Sequence, residues 1–166
     1  MKFIDENSLN RLNFKELLSR VDIFSAYGKN KLNNIQNFLV GEEEKLEEEF
    51  ERMQKILDFI SVNKKEEMEI EIILHRLKDI KKLVENTRAN IILDTVDLFE
   101  IKTQLMAMAD LNSCLKKNKE VFSDFILKDL DELFKILDPN NEKIATFYIY
   151  ESYSVILKEI RRQKKE

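Results

Sequence analysis

The chain contains very few of the residues that interrupt regular structure. Among its 166 residues there are two glycines, Gly28 and Gly41, and one proline, Pro139. All-β folds need turn residues far more often than this, which excludes a sandwich or barrel built from many short strands. Hydrophobic residues make up 43% of the chain and charged residues 36%, which excludes a disordered tail. The composition therefore predicts an all-α fold.

Cysteine and histidine are equally scarce, with one of each, Cys114 and His75. A single cysteine cannot form an internal disulfide, which favours a reducing compartment. One histidine and one cysteine cannot complete a tetrahedral zinc site, and a di-iron carboxylate bundle needs two histidines. We expect His75 at the surface or its boundary. We expect Cys114 to be a small core residue, since no base beside it would make it a nucleophile.

Long apolar runs and a strong net charge are also lacking. No run approaches the roughly 20 residues that are needed to cross a bilayer. Asp5, Glu6 and Asn7 interrupt any secretory signal directly after the start. The formal net charge of −4 counts against a chain built mainly to coat nucleic acid. The sequence therefore predicts a cytoplasmic protein that has no membrane partner.

Apolar residues recur at helical spacing along most of the chain. This pattern predicts helices over about 8–22, 25–38, 42–62, 65–84, 94–117 and 121–137, and a last one from about 150. Ser25 is the predicted N-cap of the second helix. Residues 138–141 form the clearest turn, and 144–149 are either extended or the start of the last helix. We expect residues 1–166 to form a single helical bundle domain.

Three features that suggest binding sites have simpler explanations. Gly28-Lys29 lacks the earlier glycine and the following Ser or Thr of a phosphate-binding loop. The glutamates at 42–51 lie in the first turns of a helix, where they offset the positive end of its dipole and face solvent. Aromatic residues at helical spacing in the sixth helix are predicted to be core and not a base-stacking platform: Phe122, Phe125 and Phe134. No catalytic constellation remains, and we expect this chain not to be an enzyme.

The last predicted helix combines an apolar stripe with a basic end. The cluster of cations comprises Lys158, Arg161, Arg162, Lys164 and Lys165. No Gly, Asn or Pro closes the final turn, which predicts that 150–166 begins a longer helix projecting from the bundle and that the chain is a piece of a larger protein. The cluster is either a solvated helix end or a segment that approaches nucleic-acid phosphates. On residue types alone, the solvated end is favoured.

Residues 151–161, ESYSVILKEIR, resemble the acidic-x-x-Ser-x-x-Leu-x-x-Ile-Arg signature of the DNA mismatch repair MutS family, at the exit of its core domain into the lever helix. Residues 12–18 and 27–29 are similar to the Leu-x-Phe-x-x-Leu-Leu and Gly-Lys segments that open that core domain. Residues 98–115 are similar to a family helix in which Leu and small residues precede a charged break. Two departures are Tyr153, in place of a small residue, and a turn at 138–141 without glycine.

The resemblance implies a non-catalytic core and lever fragment (domain III) of a MutS-like DNA repair or recombination ATPase. If Met1 is the native start, it implies a relative that lacks the mismatch-recognition domain. Such a fragment couples a DNA-holding clamp to an ATPase domain, both of which lie outside this chain. The resemblance implies ATP, Mg²⁺ and homodimerisation for the full-length protein, and no cofactor for this chain. We expect DNA binding by this piece to be weak and steeply salt-dependent, because only its terminal cluster is basic.

In this hypothesis, four residues seat the lever helix against the bundle: Ile149, Tyr153, Ile156 and Ile160. The basic cluster then lies on the way to DNA, and we regard its five residues as DNA-proximal candidates. The alternative is a stand-alone helical protein-interaction module, which binds a partner helix through an exposed stripe.

Overall fold

A computed structural model describes residues 11–35, 38–146 and 148–165, with the side chain of Lys165 excepted. Within these ranges the chain forms nine α-helices and two short 3-10 turns, and no β-strand. The all-α prediction is therefore confirmed. The helices are α1 (Phe14–Ser19), α2 (Ala26–Asn33), α3 (Glu43–Val62), α4 (Lys64–Arg76), α5 (Lys81–Arg88), α6 (Thr95–Lys117), α7 (Lys119–Phe122), α8 (Asp131–Leu137) and α9 (Val155–Lys165). In the same described ranges, no helix is long and apolar enough to span a membrane.

The chain divides into two compact units, each assembled from two separate segments. Unit 1 contains the described residues up to Lys78 together with Ser113–Ile126. Unit 2 contains Asp79–Asn112 together with the residues from Leu127 onward. Helix α6 contributes its first turns to unit 2 and its last turns to unit 1. The division does not decide whether 1–166 folds as one domain, which stays a prediction.

Unit 1 is organised around α3, which contacts α4 and α7. The rings of Phe59 and Phe122 meet edge to face with centroids 5.1 Å apart, a geometry that aromatic pairs favour. Cys114 is buried, as predicted, and His75 is exposed, with its ring centroid 5.3 Å from that of Phe24. The prediction that the aromatic stripe is core is confirmed only in part, because Phe122 is buried and Phe134 is half-buried, whereas Phe125 is 42% exposed.

Two predicted helices are interrupted. The fourth ends at Arg76, because Leu77 is extended and the Asp79 carboxylate accepts a hydrogen bond from the Lys81 amide, 3.0 Å away, at the start of α5. The sixth is split between α7 and α8, with a 3-10 turn at Ser123–Phe125 and an extended Ile126 between them. Side chains that bond to nearby backbone amides compete with helix hydrogen bonds. This competition ends a helix even where the apolar spacing continues.

The beginnings of α2 and α6 agree with the sequence. The Ser25 hydroxyl accepts a hydrogen bond from the Gly28 amide at 3.0 Å, which confirms Ser25 as the N-cap of α2. At α6, one carboxylate oxygen of Asp94 accepts hydrogen bonds from the amides of Val96 and Asp97, each at 2.8 Å. The Asp97 carboxylate in turn accepts a hydrogen bond from the Asp94 amide at 3.1 Å. This reciprocal arrangement satisfies amides that have no partner within the helix.

We expect Asp94→Ala to lower the free energy of unfolding by about 1 kcal/mol, because it removes the side-chain cap of α6. Urea denaturation followed by circular dichroism at 222 nm measures the change. Thr95→Ala is the matched control, since Thr95 is exposed in the first turn and is not the capping residue. A loss as large in Thr95→Ala as in Asp94→Ala would contradict the assignment of the cap.

Candidate functional site: the base of the terminal helix

The terminal helix α9 begins at Val155 and not near Tyr150, where the sequence placed it. Tyr150 is extended and is followed by a 3-10 turn at Glu151–Tyr153, which α9 contacts. Ser154 is also extended, and its hydroxyl accepts a hydrogen bond from the Leu157 amide at 3.3 Å. A serine in this conformation is a favourable N-cap. The predicted continuous helix is therefore wrong over 150–154, because Ser154 restarts the helical hydrogen bonding.

The loop after α8 is held by the Asp138 side chain. One carboxylate oxygen accepts a hydrogen bond from the Lys143 amide at 2.8 Å, and the other accepts one from the Glu142 amide at 3.2 Å. The Asn141 amide donates to the Asp138 carbonyl at 2.9 Å, which confirms the predicted turn. Asn141 and Lys143 both have φ of 53°, a left-handed conformation that is unfavourable for most residues. The Asp138 carboxylate thus offsets strain in the backbone around it.

The same carboxylate belongs to a group of three polar side chains that we call the buried triad: Lys102, Asp138 and Tyr150. Their exposed fractions are 0%, 1% and 2%. The Tyr150 hydroxyl donates to Asp138 Oδ1 at 3.0 Å, and Lys102 Nζ lies 3.5 Å from that oxygen. Lys102 Nζ also donates to the Tyr150 hydroxyl at 3.4 Å and to the Thr146 carbonyl at 3.1 Å. The triad therefore joins α6, the loop after α8 and the segment before α9.

Burial and hydrogen bonding set the protonation states in the triad. Burial raises the pKa of the Asp138 carboxyl, but the hydrogen bonds from Lys143, Glu142 and Tyr150 and the charge of Lys102 outweigh it, so this pKa is lower than usual. Burial, with the hydrogen bond to Asp138, raises the pKa of the Tyr150 phenol. Asp138 is therefore an anion at neutral pH, and Tyr150 is a neutral donor to it.

Further contacts surround the triad at the base of α9. The Tyr148 ring lies 4.1 Å from the Tyr150 ring at 37°, and the Tyr153 ring meets it edge to face at 5.6 Å. The Tyr153 hydroxyl donates to the Ile136 carbonyl at 2.6 Å. Arg161 donates to the Ile149 carbonyl at 3.0 Å, which links the second half of α9 to the segment that precedes it. Aromatic packing and directed hydrogen bonds together orient this end of the helix.

The four residues that were predicted to seat the lever helix are between 42% and 73% exposed. They are Ile149, Tyr153, Ile156 and Ile160. Tyr153 does contact other residues of unit 2, the Ile136 carbonyl through its hydroxyl and Tyr150 through its ring. Ile156 and Ile160 are four residues apart in α9 and form an open apolar stripe. Their seating role stays a prediction.

The predicted DNA-proximal residues have different surroundings. Lys158, Arg162 and Lys164 are exposed along α9, and Arg162 pairs with Glu159 at 3.0 Å. Arg161 is half-buried, and it takes part in the base of the helix. The side chain of Lys165 lies outside the described part of the chain. Their proximity to DNA stays a prediction.

Gly28 and Lys29 do not form a phosphate-binding loop in the described part of the chain. Gly28 lies inside α2, where its amide is bonded to Ser25, and the Lys29 amide donates to the Ser25 carbonyl at 3.1 Å. A Cβ on Gly28 would lie 3.0 Å from a methyl carbon of Ile23, so close packing accounts for this glycine. Over the described ranges, no group of three or more His, Cys, Asp or Glu residues could hold a metal ion.

Comparison of the chain with models of protein families, with curated proteins and with solved structures finds no match. What the base of α9 does is therefore inferred from its own residues and geometry.

Sequence patterns did not identify the buried triad. Lys102 lies four residues after Leu98 and three before Leu105, on the apolar face of α6. A lysine at this spacing was the one sequence feature that could have indicated a buried charge. Asp138 was interpreted as an ordinary turn residue, and Tyr150 as the first residue of the last helix. Asp138 and Tyr150 lie 36 and 48 residues after Lys102. Residue spacing along one helix does not indicate which residues of other segments it contacts, so these contacts could not be predicted.

Proposed function

We propose that this chain is the core and lever part of a MutS-like DNA repair or recombination ATPase, and that it transmits motion without catalysing a reaction. The observation that supports this proposal most directly is the base of α9. There, buried contacts hold one end of a helix whose apolar stripe and basic side chains stay open. The motifs at 12–18, 27–29, 98–115 and 151–161 resemble that family in order along the chain.

A helix transmits displacement only when its base does not yield. At about 1.5 Å of rise per residue, the eleven residues of α9 span about 16 Å. The ion pair between Lys102 and Asp138 and the hydrogen bond from the Tyr150 hydroxyl hold the segment that leads into this rod against α6 and the loop after α8. Coupling between two sites requires an element that has at least two positions. Each site must bind its ligand more tightly in one of these positions than in the other. In this proposal, α9 is that element.

We expect Ile156→Asp combined with Ile160→Asp to uncouple ATP hydrolysis from DNA binding in the complete protein. In this proposal the stripe, which is open in this chain, packs against another surface of the complete protein, where two unpaired carboxylates would be unfavourable. The measurement is the stimulation of ATPase activity by DNA, which should fall by about tenfold or more, a loss of about 1.4 kcal/mol of coupling.

Val155→Asp provides the matched control. Val155 is 85% exposed in the first turn of α9 and lies away from the stripe. A carboxylate there is also compatible with the positive end of the helix dipole. Full stimulation by DNA in the double variant would contradict the lever role.

The reading frame beyond Glu166 tests the same proposal independently. A downstream Gly-x-x-x-x-Gly-Lys-Ser/Thr would support it, because that loop supplies the phosphate-binding amides and the lysine of an ATPase. Weak, steeply salt-dependent DNA binding by this chain alone also agrees with the proposal. Tight binding at physiological salt would contradict the placement of the basic cluster.

A stand-alone helical interaction module is the second candidate. Large apolar side chains are exposed on α3 at Phe50, Met53 and Leu57, and on α9 at Ile156 and Ile160. Residues spaced in this way form the kind of stripe that receives an amphipathic partner helix. A stop codon directly after Glu166 would favour this candidate.

A further inference from the structure

We infer that the buried triad acts with Tyr153 as a latch that fixes the direction of α9, and that α9 turns as a unit about the segment 149–154 when the Tyr150 hydroxyl is lost. The inference goes beyond the proposed function, because it concerns the mechanics of unit 2 alone. It holds or fails whether or not an ATPase is attached.

The segment that would act as the hinge has little regular structure. Tyr150 and Ser154 are extended, and between them lies the single 3-10 turn at Glu151–Tyr153. The backbone hydrogen bonds of this turn are local, from the Tyr153 amide to the Tyr150 carbonyl and from the Ser154 amide to the Glu151 carbonyl. A few residues that join two elements in this way are able to absorb a change of direction.

Side chains tie this segment to the rest of unit 2. Tyr150 reaches the loop after α8 through Asp138, and it reaches α6 through Lys102. Tyr153 reaches the end of α8 through the Ile136 carbonyl. Helix α9 itself contacts the 3-10 turn. Arg161 ties α9 to the Ile149 carbonyl, which lies inside the segment itself. The direction of α9 relative to α6 and α8 therefore depends on the two phenol hydroxyls that reach out of the segment.

The Tyr150 hydroxyl is the centre of the latch because it both donates and accepts. It donates to Asp138, and it accepts from Lys102. Without it, the ion pair at 3.5 Å and the bonds from Glu142 and Lys143 to Asp138 are still available. Tyr150→Phe is therefore expected to leave unit 2 folded while it weakens the tie to α9. A hydrogen bond to a charged group is stronger than one between neutral groups. Loss of the bond from Tyr150 to Asp138 should therefore increase the ratio of released to latched molecules by about tenfold or more.

Double electron–electron resonance between two spin labels measures the direction of α9. Ala109→Cys and Gln163→Cys place the labels at exposed positions on α6 and α9, both in unit 2, in a background carrying Cys114→Ala. The parent should give one narrow distance distribution. Tyr150→Phe should give a broad distribution or a second peak, with its helix content by circular dichroism retained.

Tyr148→Phe is the matched control. Tyr148 packs on Tyr150, but its hydroxyl donates to the exposed Glu142, so its loss should leave the distribution narrow. Tyr153→Phe is the second test of the latch. Because its hydroxyl bonds the Ile136 carbonyl, this variant should broaden the distribution even if Tyr150→Phe fails to fold.

Either of two results would overturn the latch. One is a broad distribution in the parent. The other is an unchanged narrow distribution in folded Tyr150→Phe or, where that variant does not fold, in folded Tyr153→Phe. Neither result bears on the stimulation of ATPase activity by DNA, which is decided by the Ile156 and Ile160 variant.

Discussion

Lys102→Met is expected to lower the free energy of unfolding by about 3–5 kcal/mol, because it leaves Asp138 as a buried anion without its cation. Asp138 is almost fully enclosed, and Lys102 Nζ is the positive group that lies 3.5 Å from its Oδ1. Methionine fills much of the lysine volume, so little of this loss comes from a cavity. The Tyr150 hydroxyl and the Thr146 carbonyl also lose a donor in the variant.

Urea denaturation at pH 7, followed by circular dichroism, measures this difference. Lys116→Met is the matched control, because Lys116 is exposed in the last turn of the same helix. Substitutions at such surface positions usually change stability by less than about 0.5 kcal/mol. If the two variants unfolded at the same urea concentration, the ion pair would contribute nothing to the stability of unit 2.

Acidification is expected to remove stability through Asp138, the second large effect. The pKa of the Asp138 carboxyl is lower in the folded chain than its ordinary value. The contribution of this carboxylate to the free energy of unfolding is therefore complete above the pKa that Asp138 has in the unfolded chain, about 4. The contribution is lost as the pH falls from there through the folded pKa. Burial alone would raise this pKa, and the amides of Lys143 and Glu142 with the Tyr150 hydroxyl reverse the sign.

Comparison of the parent with Asp138→Asn from pH 7 to pH 2.5 tests this linkage. At pH 7 the variant should be less stable by about 3 kcal/mol or more, since an amide nitrogen cannot accept a hydrogen bond from a backbone N–H. The difference in the free energy of unfolding between the parent and the variant should become smaller below about pH 4, where Asp138 of the parent is protonated. Asp131→Asn, at an exposed position in the first turn of α8, should show a small gap. A gap for Asp138→Asn that stays constant down to pH 2.5 would contradict the linkage.

Apolar spacing predicted the long helices well. The ends of α3 and the start of α6 agree with the sequence to within a residue or two, because each has a continuous stripe and acidic residues in its first turn. Spacing failed where a side chain competes for the backbone. Asp79 ends the fourth predicted helix early, and Ser154 delays the start of the last one.

The candidate site was predictable only in part. The motif at 151–161 indicated that the start of the last helix matters, but not which residues hold it. Lys102 and Tyr150 meet through a contact between elements 48 residues apart, and the hydrogen bond to Asp138 depends on a loop with two left-handed residues. Such a loop conformation has no periodic signature. The buried triad therefore became visible only in three dimensions.

The left-handed backbone at Lys143 has a consequence for how this chain can change during evolution. A lysine at φ of 53° is unfavourable by about 1 kcal/mol. Here the hydrogen bond from the Lys143 amide to the Asp138 carboxylate offsets that strain. A lineage that lost the acidic side chain would retain the strain with nothing to offset it. We therefore expect substitutions at 138 and 143 to be non-additive, because glycine at 143 removes the strain that Asp138 offsets.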